Sequence, residues 1–501
     1  MRRLIEQHPL AAVLGAAVGV RLVAVIWSQG FIHSDDYFDT VEVAYYWLTH
    51  SLWGADGFLC WKNKGAETIG RFPLYTLSLW VVMKACWAVG VESLNSMMYA
   101  IRATHALLSL VPVWVTYRVT LMVTGRVRWA VFGGLAAALH FAFPFLGVRN
   151  LIEVVGGDLW IAVIYLYYRY RDDRCTRWLW LAGIVAGLAW MVRFQIAFAV
   201  IPVPLLLWYE TRSLRPALHF SAAVGVMLLL SGVSDWLLLG RFAGSTLTNL
   251  GMNAGIPALY NTIPLLYPVI LFLLFIPPLS FLFFYLTLRP AFIRRHLMLF
   301  ATSVFFLLCH AVQSNQQERF IFPIVPAFLL MIVLAAWEKV QAHGRLGRPR
   351  WLVNGLLALA VLVNLVMLPI MSTAYGHRGM IEPLKWFERE APSARVAFIQ
   401  PGVKRWPPVE YGGVSLECSY VRKWDDWQEP EAHGPFDYFV LYPRREGDLA
   451  ALQDSVIARF GPIEPVLHVE PSLYDRVMHS LNPNHNDSFE AFVYRPEQGS
   501  H

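Results

Sequence analysis

An acidic cluster lies directly after the first long apolar segment of the chain. Three carboxylates and one imidazole fall within seven residues, namely His33, Asp35, Asp36 and Asp39. Carboxylates held this close repel one another, so they are costly to ionise unless a cationic or hydroxylic group binds nearby. A carboxylate in such a place can act as a general base on a substrate hydroxyl. The alternative is a solvated acidic loop in which Asp35 or Asp39 caps the following helix.

A second polar segment precedes a long apolar run late in the chain. Gln316, Gln317 and Glu318 lead into Arg319, which is followed at once by Phe320. A guanidinium at the mouth of a helix bundle suits a phosphate group, because its planar fork can donate two parallel hydrogen bonds. The alternative is an interfacial arginine whose charged end reaches the lipid headgroups.

Other ionisable residues lie at or inside the ends of apolar runs. Inside a membrane such residues usually face a polar cavity and a partner, because an isolated charge in hydrocarbon is costly. Each of them is therefore part of a functional cavity, an interfacial anchor or a member of a buried ion pair. The set consists of Arg71, Arg102, Arg149, Glu153 and Arg193.

The composition indicates that membrane helices must carry these residues. Of the 501 residues, 56% are hydrophobic and 15% are charged, and the mean hydropathy is +0.45. A soluble domain has about a quarter charged residues. The net charge of +6 is attributed to cytoplasmic loops, since no soluble segment carries the basic stripe of a nucleic-acid surface. Apolar runs predict about a dozen helices, near 9–28, 73–92, 101–122, 129–148, 155–169, 177–192, 194–209, 217–239, 263–287, 296–313, 320–337 and 351–373.

The distribution of loop charges predicts the orientation in the membrane. Loops rich in Lys and Arg remain in the cytoplasm, which places Arg2, Arg3 and the cluster at 169–177 inside. The first long loop, 29–72, the polar segment 314–319 and the tail are then outside. The short N-terminus and the few Lys favour a bacterial inner membrane, with the endoplasmic reticulum as the alternative.

The chain changes character after residue 373. Its apolar runs become short and most are flanked by Pro, Gly or Asp, which is typical of strands. Together with amphipathic helical patterns at 378–390 and 447–459, these runs predict a small α/β domain. The predicted organisation is a membrane domain over 1–373 and a soluble extracytoplasmic α/β domain over 374–501. The strand runs are 396–399, 438–442 and 491–494.

The order of these features resembles the GT-C fold glycosyltransferases. More narrowly, it resembles glycosyltransferase family 22, the mannosyltransferases of glycosylphosphatidylinositol and N-glycan assembly. The family's first luminal loop shows H-P-D-E-x-x-Q, and the segment from His33 to Asp39 occupies this pattern. Its later H-K-E-x-R-F-x-x-P stretch aligns with Asn315 to Pro323, and an R-S near the second helix is half matched by Arg71-Phe72. The tail resembles that of the third mannosyltransferases of glycosylphosphatidylinositol assembly at His377-Arg378-Gly379, Leu416-Glu417-Cys418 and Asn482 to Asp487.

The resemblance implies a fold and a set of roles. The fold is a polytopic α-helical membrane protein with about 11 to 13 spanning helices. The family's catalytic carboxylate corresponds to Asp35, with His33 and Asp36 holding the acceptor or orienting the base. No metal and no cofactor are expected, since an alkyl phosphate leaves readily once its charge is matched. The donor phosphate would be bound by Arg319, Arg71, Gln316 and Gln317, and the site would be lined by Arg149, Glu153 and Glu318.

The predicted activity is inverting transfer of mannose from a polyprenyl-phosphate mannose donor to a lipid-linked glycan or glycolipid. The family's Lys is replaced here by Gln316, which leaves open an enzyme of the same fold that uses an arabinosyl or amino-sugar donor. A third hypothesis is a transporter or lipid flippase without covalent chemistry. It is disfavoured because the sequence shows no inverted repeat with paired broken helices. The expected partners are the donor, the acceptor and membrane lipids, and no nucleic acid.

Overall fold

A computed structural model of the chain describes residues 7–33, 36–50, 72–255, 265–277, 279–313, 316–347, 349–400, 407–421, 435–443, 448–481 and 490–497. The predicted site residues Asp35 and Arg71 lie outside the described residues. The chain divides into two compact units. The first comprises Met1–Val25, His50–Ser78 and Arg102–Ser372. The second comprises Ile26–Thr49, Leu79–Ile101 and Thr373–His501.

Helices dominate the described chain as far as residue 390. In chain order they are α1 (Pro9–Trp27), α2 (Glu42–Thr49), α3 (Leu74–Ala88), α4 (Leu94–Leu108), α5 (Leu110–Thr124), α6 (Val127–Leu139), α7 (Ala142–Leu146), α8 (Ile152–Asp173), α9 (Arg177–Val192), α10 (Ala197–Val200), α11 (Pro202–Thr211), α12 (Leu214–Leu239), α13 (Gly244–Gly255), α14 (Leu266–Leu274), α15 (Leu279–Thr287), α16 (Pro290–Arg295), α17 (Leu297–Ala311), α18 (Val325–His343), α19 (Arg350–Ser372) and α20 (Arg378–Glu390).

Six helical segments among the described residues are long and apolar enough to cross a membrane. Counting the bent pair α14 and α15 as one span makes seven. These numbers are below the predicted 11 to 13 because α3, α6, α9 and α17 are apolar but contain only 10–17 residues, short of the ~20 that a straight span needs. The six segments are Pro9–Trp27, Leu94–Thr124, Phe194–Thr211, Leu214–Leu238, Glu318–His343 and Arg350–Ser372.

The centre of the first unit is α18. The segment that contains it, Glu318–His343, is 83% buried, whereas Arg350–Ser372 is 6% buried and turns apolar side chains outward. The helix begins with Pro326 near its first position and ends before Gly344, which adopts a left-handed conformation at φ 64. Pro favours the start of a helix because it lacks the backbone N–H that would be left unpaired in the first turn. Gly favours the position after the end because it tolerates positive φ.

The second unit contains a five-stranded sheet made of β1 (Arg395–Ile399), β2 (Glu417–Val421), β3 (Tyr438–Leu441), β4 (Ile463–Val469) and β5 (Ala491–Pro496). The strand order in the sheet is β2-β1-β3-β5-β4. Strands β2, β1 and β3 are parallel, while β5 runs antiparallel to both β3 and β4. The helices α20 and α21 (Asp448–Phe460) pack against the sheet, and α22 (Leu473–Leu481) follows β4 in the chain. The predicted small C-terminal α/β domain is therefore confirmed.

Candidate functional site

Three charged side chains meet in the interior of the first unit. Nη1 of Arg193 donates a hydrogen bond to Oε1 of Glu153 at 2.5 Å, and Nε of Arg319 lies 3.7 Å from the same oxygen. The three side chains are between 2% and 5% exposed. Burial strengthens electrostatic interactions and makes any imbalance of charge costly, so this ionic cluster is a site where a further charged group would interact strongly.

Each member of the cluster lies where a helix begins or is interrupted. Glu153 is in the first turn of α8. Arg193 follows α9 in an extended conformation, before a short 3-10 helix, Phe194–Ile196. Arg319 belongs to the 3-10 helix Glu318–Ile324, which leads into α18. Irregular backbone at membrane depth is tolerated where it is buried in protein or lines a cavity, and broken helices often build binding sites.

Two consecutive glycines allow α8 to approach these interruptions. A Cβ atom on Gly157 would come within 2.7 Å of Cα and 2.8 Å of the carbonyl oxygen of Pro323, in the 3-10 helix that carries Arg319. A Cβ atom on Gly156 would lie 3.3 Å from Ile196 and 3.5 Å from Cβ of Arg193. The glycine pair therefore sets how close Glu153 comes to its two arginine partners.

An aromatic ring lies beside both guanidiniums. The Cζ atoms of Arg193 and Arg319 are 5.0 and 5.6 Å from the centroid of Phe320. A cation near an aromatic face gains stabilisation in a desolvated site. Phe320 thus keeps the two positive groups together on one side of the cluster.

His310 is a further buried side chain of this region. Its Nδ1 lies 2.9 Å from the carbonyl oxygen of Phe306. The centroid of its ring lies 6.3 Å from the centroid of the Phe320 ring, and the two rings are tilted relative to each other. Because a carbonyl can only accept, Nδ1 carries the proton and Nε2 is left as an acceptor. Within the described part of the chain, Nε2 has no hydrogen-bond partner. The sequence interpretation overlooked His310, whose position at the end of an apolar helix resembles that of an ordinary core residue.

The structure assigns different surroundings to the other predicted residues of the first unit. Arg149 is buried, with its Cζ 5.0 Å from the ring of Phe145. Gln316 donates from its amide to the carbonyl of Ala311 at 2.8 Å. Glu318 is exposed in the first turn of its 3-10 helix, and Gln317 immediately precedes that helix. Of the predicted site residues, the geometry therefore brings Glu153 and Arg319 into contact, and Arg193 joins them.

Three members of the acidic cluster, His33, Asp36 and Asp39, are described in the second unit. The backbone N–H of His33 donates to Oδ2 of Asp36 at 3.2 Å, and the Asp36 residue is 4% exposed. A π-helix, Tyr37–Val41, follows and runs into α2. Asp39 lies inside this π-helix, so it does not cap the helix as one alternative proposed. His33 and Asp36 thus close a hydrogen-bonded turn, in which Asp36 is buried and not solvated.

Residues from the C-terminal part of the second unit hold this turn. Tyr37 donates from its hydroxyl to Glu410 at 3.0 Å, and burial, with the neighbouring Glu410 carboxylate, raises the pKa of Tyr37 well above its usual value. Nδ1 of His377 lies 3.0 Å from the carbonyl oxygen of Phe31, and the two rings stack at 4.2 Å.

Asp475 fixes the other side of this contact. It accepts hydrogen bonds from the backbone N–H groups of His377 and Arg378, at 2.7 and 3.0 Å. Such charge-assisted bonds are stronger than neutral ones. They hold His377 in a left-handed conformation at φ 56. The sequence showed no pattern that would identify Glu410 or Asp475 as supports of the acidic turn.

Comparison with known proteins identifies the family. The model of the Alg9-like mannosyltransferase family matches residues 13–398. The chain belongs to this family. The resemblance to glycosyltransferase family 22 predicted from the motifs is thereby confirmed.

One curated relative is the GPI alpha-1,2-mannosyltransferase 3 of Bos taurus, which is 25% identical over 353 residues. The match covers 64% of this chain and 59% of the bovine protein, so the chain spans less than two thirds of that relative's length.

Solved structures of ArnT from Cupriavidus metallidurans share the fold. The form bound to undecaprenyl phosphate has a TM-score of 0.61 at 13% identity, and the match covers 98% of each chain. The apo form has a TM-score of 0.59 at 12% identity, with 97% of each chain covered. At this identity the likeness shows a GT-C fold, as predicted. With the apolar helices described above, it identifies an integral membrane protein.

Proposed function

We propose that this member of the Alg9-like family is an inverting mannosyltransferase. It would move mannose from a polyprenyl-phosphate mannose donor to a hydroxyl of a lipid-linked glycan or glycolipid. Three findings support this proposal: the family match, the bovine relative named for α-1,2-mannosyl transfer, and the structural neighbour that binds undecaprenyl phosphate. The single observation that carries it is the buried cluster of Arg193, Glu153 and Arg319.

The proposed role of the two arginines is to bind the donor phosphate. A guanidinium stays ionised at any working pH, and its planar fork matches two phosphate oxygens. The described cluster contains two such groups beside one carboxylate, in a buried position where an anion gains far more from ion pairing than it would in water. Arg71, Gln316 and Gln317 are proposed to donate further hydrogen bonds to the phosphate of the substrate. Arg149 and Glu318 are proposed to line the site.

The proposed chemical step is a direct displacement at the anomeric carbon. Asp35 removes the proton of the acceptor hydroxyl as its oxygen forms a bond to that carbon. The bond from carbon to the phosphate oxygen breaks, and its electron pair leaves with the lipid phosphate. Attack from the opposite face inverts the configuration. His33 and Asp36 are proposed to orient the base or the acceptor, and the arginines to stabilise the charge that develops on the phosphate.

The proposal extends to the location of the enzyme. The loop charges predict that the acidic cluster and the segment 314–319 lie outside, so the reaction is proposed to take place at the extracytoplasmic face of the membrane. A bacterial inner membrane is proposed as its location, with the endoplasmic reticulum as the alternative. The domain division proposed from the sequence, 1–373 and 374–501, is retained. The chain's own ionisable groups would suffice for the step, without metal or cofactor.

Transfer assays with purified protein in nanodiscs test the function. Polyprenyl-phosphate [³H]mannose and a glycolipid acceptor are the substrates. The Asp35→Asn variant should lose about 100- to 10,000-fold in rate, the usual cost of removing a general base. The matched Asp39→Asn variant should lose far less, since Asp39 stands where the family has a neutral amide. Full activity of the Asp35→Asn variant would refute the assignment, and absence of transfer from the lipid phosphate would refute the donor class.

A further inference from the structure

We propose that Glu153 is a positioning residue that limits how tightly the site holds its lipid-phosphate product. The inference rests on the proposed function, in which Arg193 and Arg319 receive the donor phosphate. Glu153 contacts both guanidiniums, and its side chain is 2% exposed. A buried carboxylate beside two groups that bind an anion weakens the binding of that anion. Its position therefore indicates a role other than raising affinity for the donor.

The reaction changes the charge on the ligand of these arginines. The donor is a phosphodiester with one negative charge, whereas the product is a phosphomonoester with about 1.5 to 2 negative charges at pH 7. The electron pair of the broken bond leaves with the phosphate while the acceptor's proton goes to Asp35. A site that stabilises this developing charge therefore also binds the product more tightly than the substrate. The fixed charge of Glu153 opposes that excess and allows the product to leave.

The packing keeps Glu153 from moving away when the ligand changes. It lies in the first turn of α8, and Gly157 one turn later lies against the backbone of Pro323. The carboxylate therefore remains close to Arg319 in each state of the reaction. At an effective dielectric constant of about 20, a unit charge about 6 Å from the bound phosphate changes the affinity for a ligand by on the order of 100-fold for each additional negative charge that the ligand carries.

The chain supplies a matched control at the other end of α18. Glu338 is also buried, and its carboxylate lies 2.7 Å from Nη1 of Arg295 and 3.7 Å from Nη2 of Arg289. Glu338 lies about 20 Å along the helix axis from Val325, the first residue of α18. The Glu338→Gln variant therefore makes the same chemical change beside two arginines, far from the proposed phosphate site.

Equilibrium binding of two ligands tests the inference. A short-chain polyprenyl phosphate and the corresponding polyprenyl-phosphate mannose are titrated into the intact protein in nanodiscs at pH 8. The Glu153→Gln variant should bind both ligands more tightly than the parent protein does, and the ratio of its affinity for the polyprenyl phosphate to its affinity for the phosphodiester should rise roughly 10- to 100-fold, because the phosphate carries up to one more negative charge. The ratio of the two affinities should be unchanged in the Glu338→Gln variant.

Kinetics give a second measurement on the same protein. In the Glu153→Gln variant, the first turnover should be at least as fast as in the parent, and later turnovers slower, with a burst of one product per enzyme. A residue that only supports the fold would slow both phases. If the variant loses affinity for both ligands in equal proportion, or if its affinity ratio equals the parent's, the inference is wrong while the proposed function stands. If the parent binds neither lipid phosphate, the proposed function fails and this inference fails with it.

A second variant, which removes a positive charge from the cluster instead of a negative one, keeps the inference testable if the Glu153→Gln variant does not fold. The Arg193→Gln variant removes one positive charge from the same cluster. It should lose affinity for the polyprenyl phosphate by a larger factor than for the phosphodiester. An equal loss for the two ligands would show that the charge of the cluster does not distinguish product from substrate, and would overturn the inference.

Discussion

Replacing Gly157 with alanine should damage the site by moving Arg319, although none of the three charged residues of the cluster is changed. The new Cβ would lie 2.7 Å from Cα, 2.8 Å from the carbonyl oxygen and 3.1 Å from the carbonyl carbon of Pro323. Ordinary contacts of this kind exceed 3.4 Å, so the two backbones must separate by roughly 0.7 Å or more. The 3-10 helix with Arg319 would then withdraw from Glu153.

Two opposing terms set the magnitude for stability. Alanine in place of glycine inside α8 gains about 1 kcal/mol in helix propensity, while overpacking against a backbone costs about 1–3 kcal/mol. The net loss in unfolding free energy is therefore about 0–2 kcal/mol, and the protein should fold. Activity should suffer more, because a displacement near 1 Å in a positioning element can cost about 100-fold.

The neighbouring glycine gives the control. At Gly156 the new Cβ would meet only side-chain atoms, at 3.3 Å and beyond, so alanine there should leave turnover within a few-fold of the parent. Thermal unfolding and the transfer assay, measured on both variants, test the prediction. Equal activity of Gly157→Ala and Gly156→Ala would refute the idea that this close approach positions Arg319.

Three further predictions concern charge, reactivity and topology. Arg319→Lys should weaken donor binding by on the order of 10- to 100-fold despite keeping the charge, because it loses the bidentate fork; parent-like affinity in a titration would make Arg319 an interfacial anchor. Burial raises the pKa of Cys418 to about 12, so at pH 8 this thiol should react with iodoacetamide about 1,000-fold more slowly than a free thiol does. Mass spectrometry can measure the rate, and reaction at the rate of a free thiol would contradict the burial of Cys418. Cysteines introduced at Asp35 and at Val414, which is 73% exposed, should react with a membrane-impermeant maleimide from the same face, opposite Arg348; labelling from opposite faces would exclude the predicted topology.

The sequence alone was sufficient for the class of protein and for most of its regular elements. Apolar runs mark segments that face lipid or protein instead of water, and this information is local. The helix predicted at 378–390 is α20, Arg378–Glu390, and the strand run at 396–399 lies within β1, Arg395–Ile399. The family was equally accessible, because its motifs combine particular residue types at short spacing.

The two strands that the sequence interpretation missed are the edges of the sheet. Strands β2 and β4 end the order β2-β1-β3-β5-β4, and most of their residues are only partly buried. An edge strand pairs on one side alone, so its side chains need not form the continuous apolar run that marks a buried strand. The helix α22 was missed as well, since Leu473–Leu481 is short and carries polar residues between its apolar ones.

The composition of the cluster was decided by tertiary structure. Glu153 and Arg193 are separated by 40 residues, and nothing in the local pattern distinguishes an interfacial arginine from one that shares a carboxylate with Arg319. The pairing depends on how closely α8 packs, which Gly156 and Gly157 permit because they present no Cβ to their neighbours. Residue types at membrane depth signal that a partner must exist, since an unpaired charge there is too costly. Which partner it is depends on distances of a few ångströms between separate helices, and only the packed chain determines those.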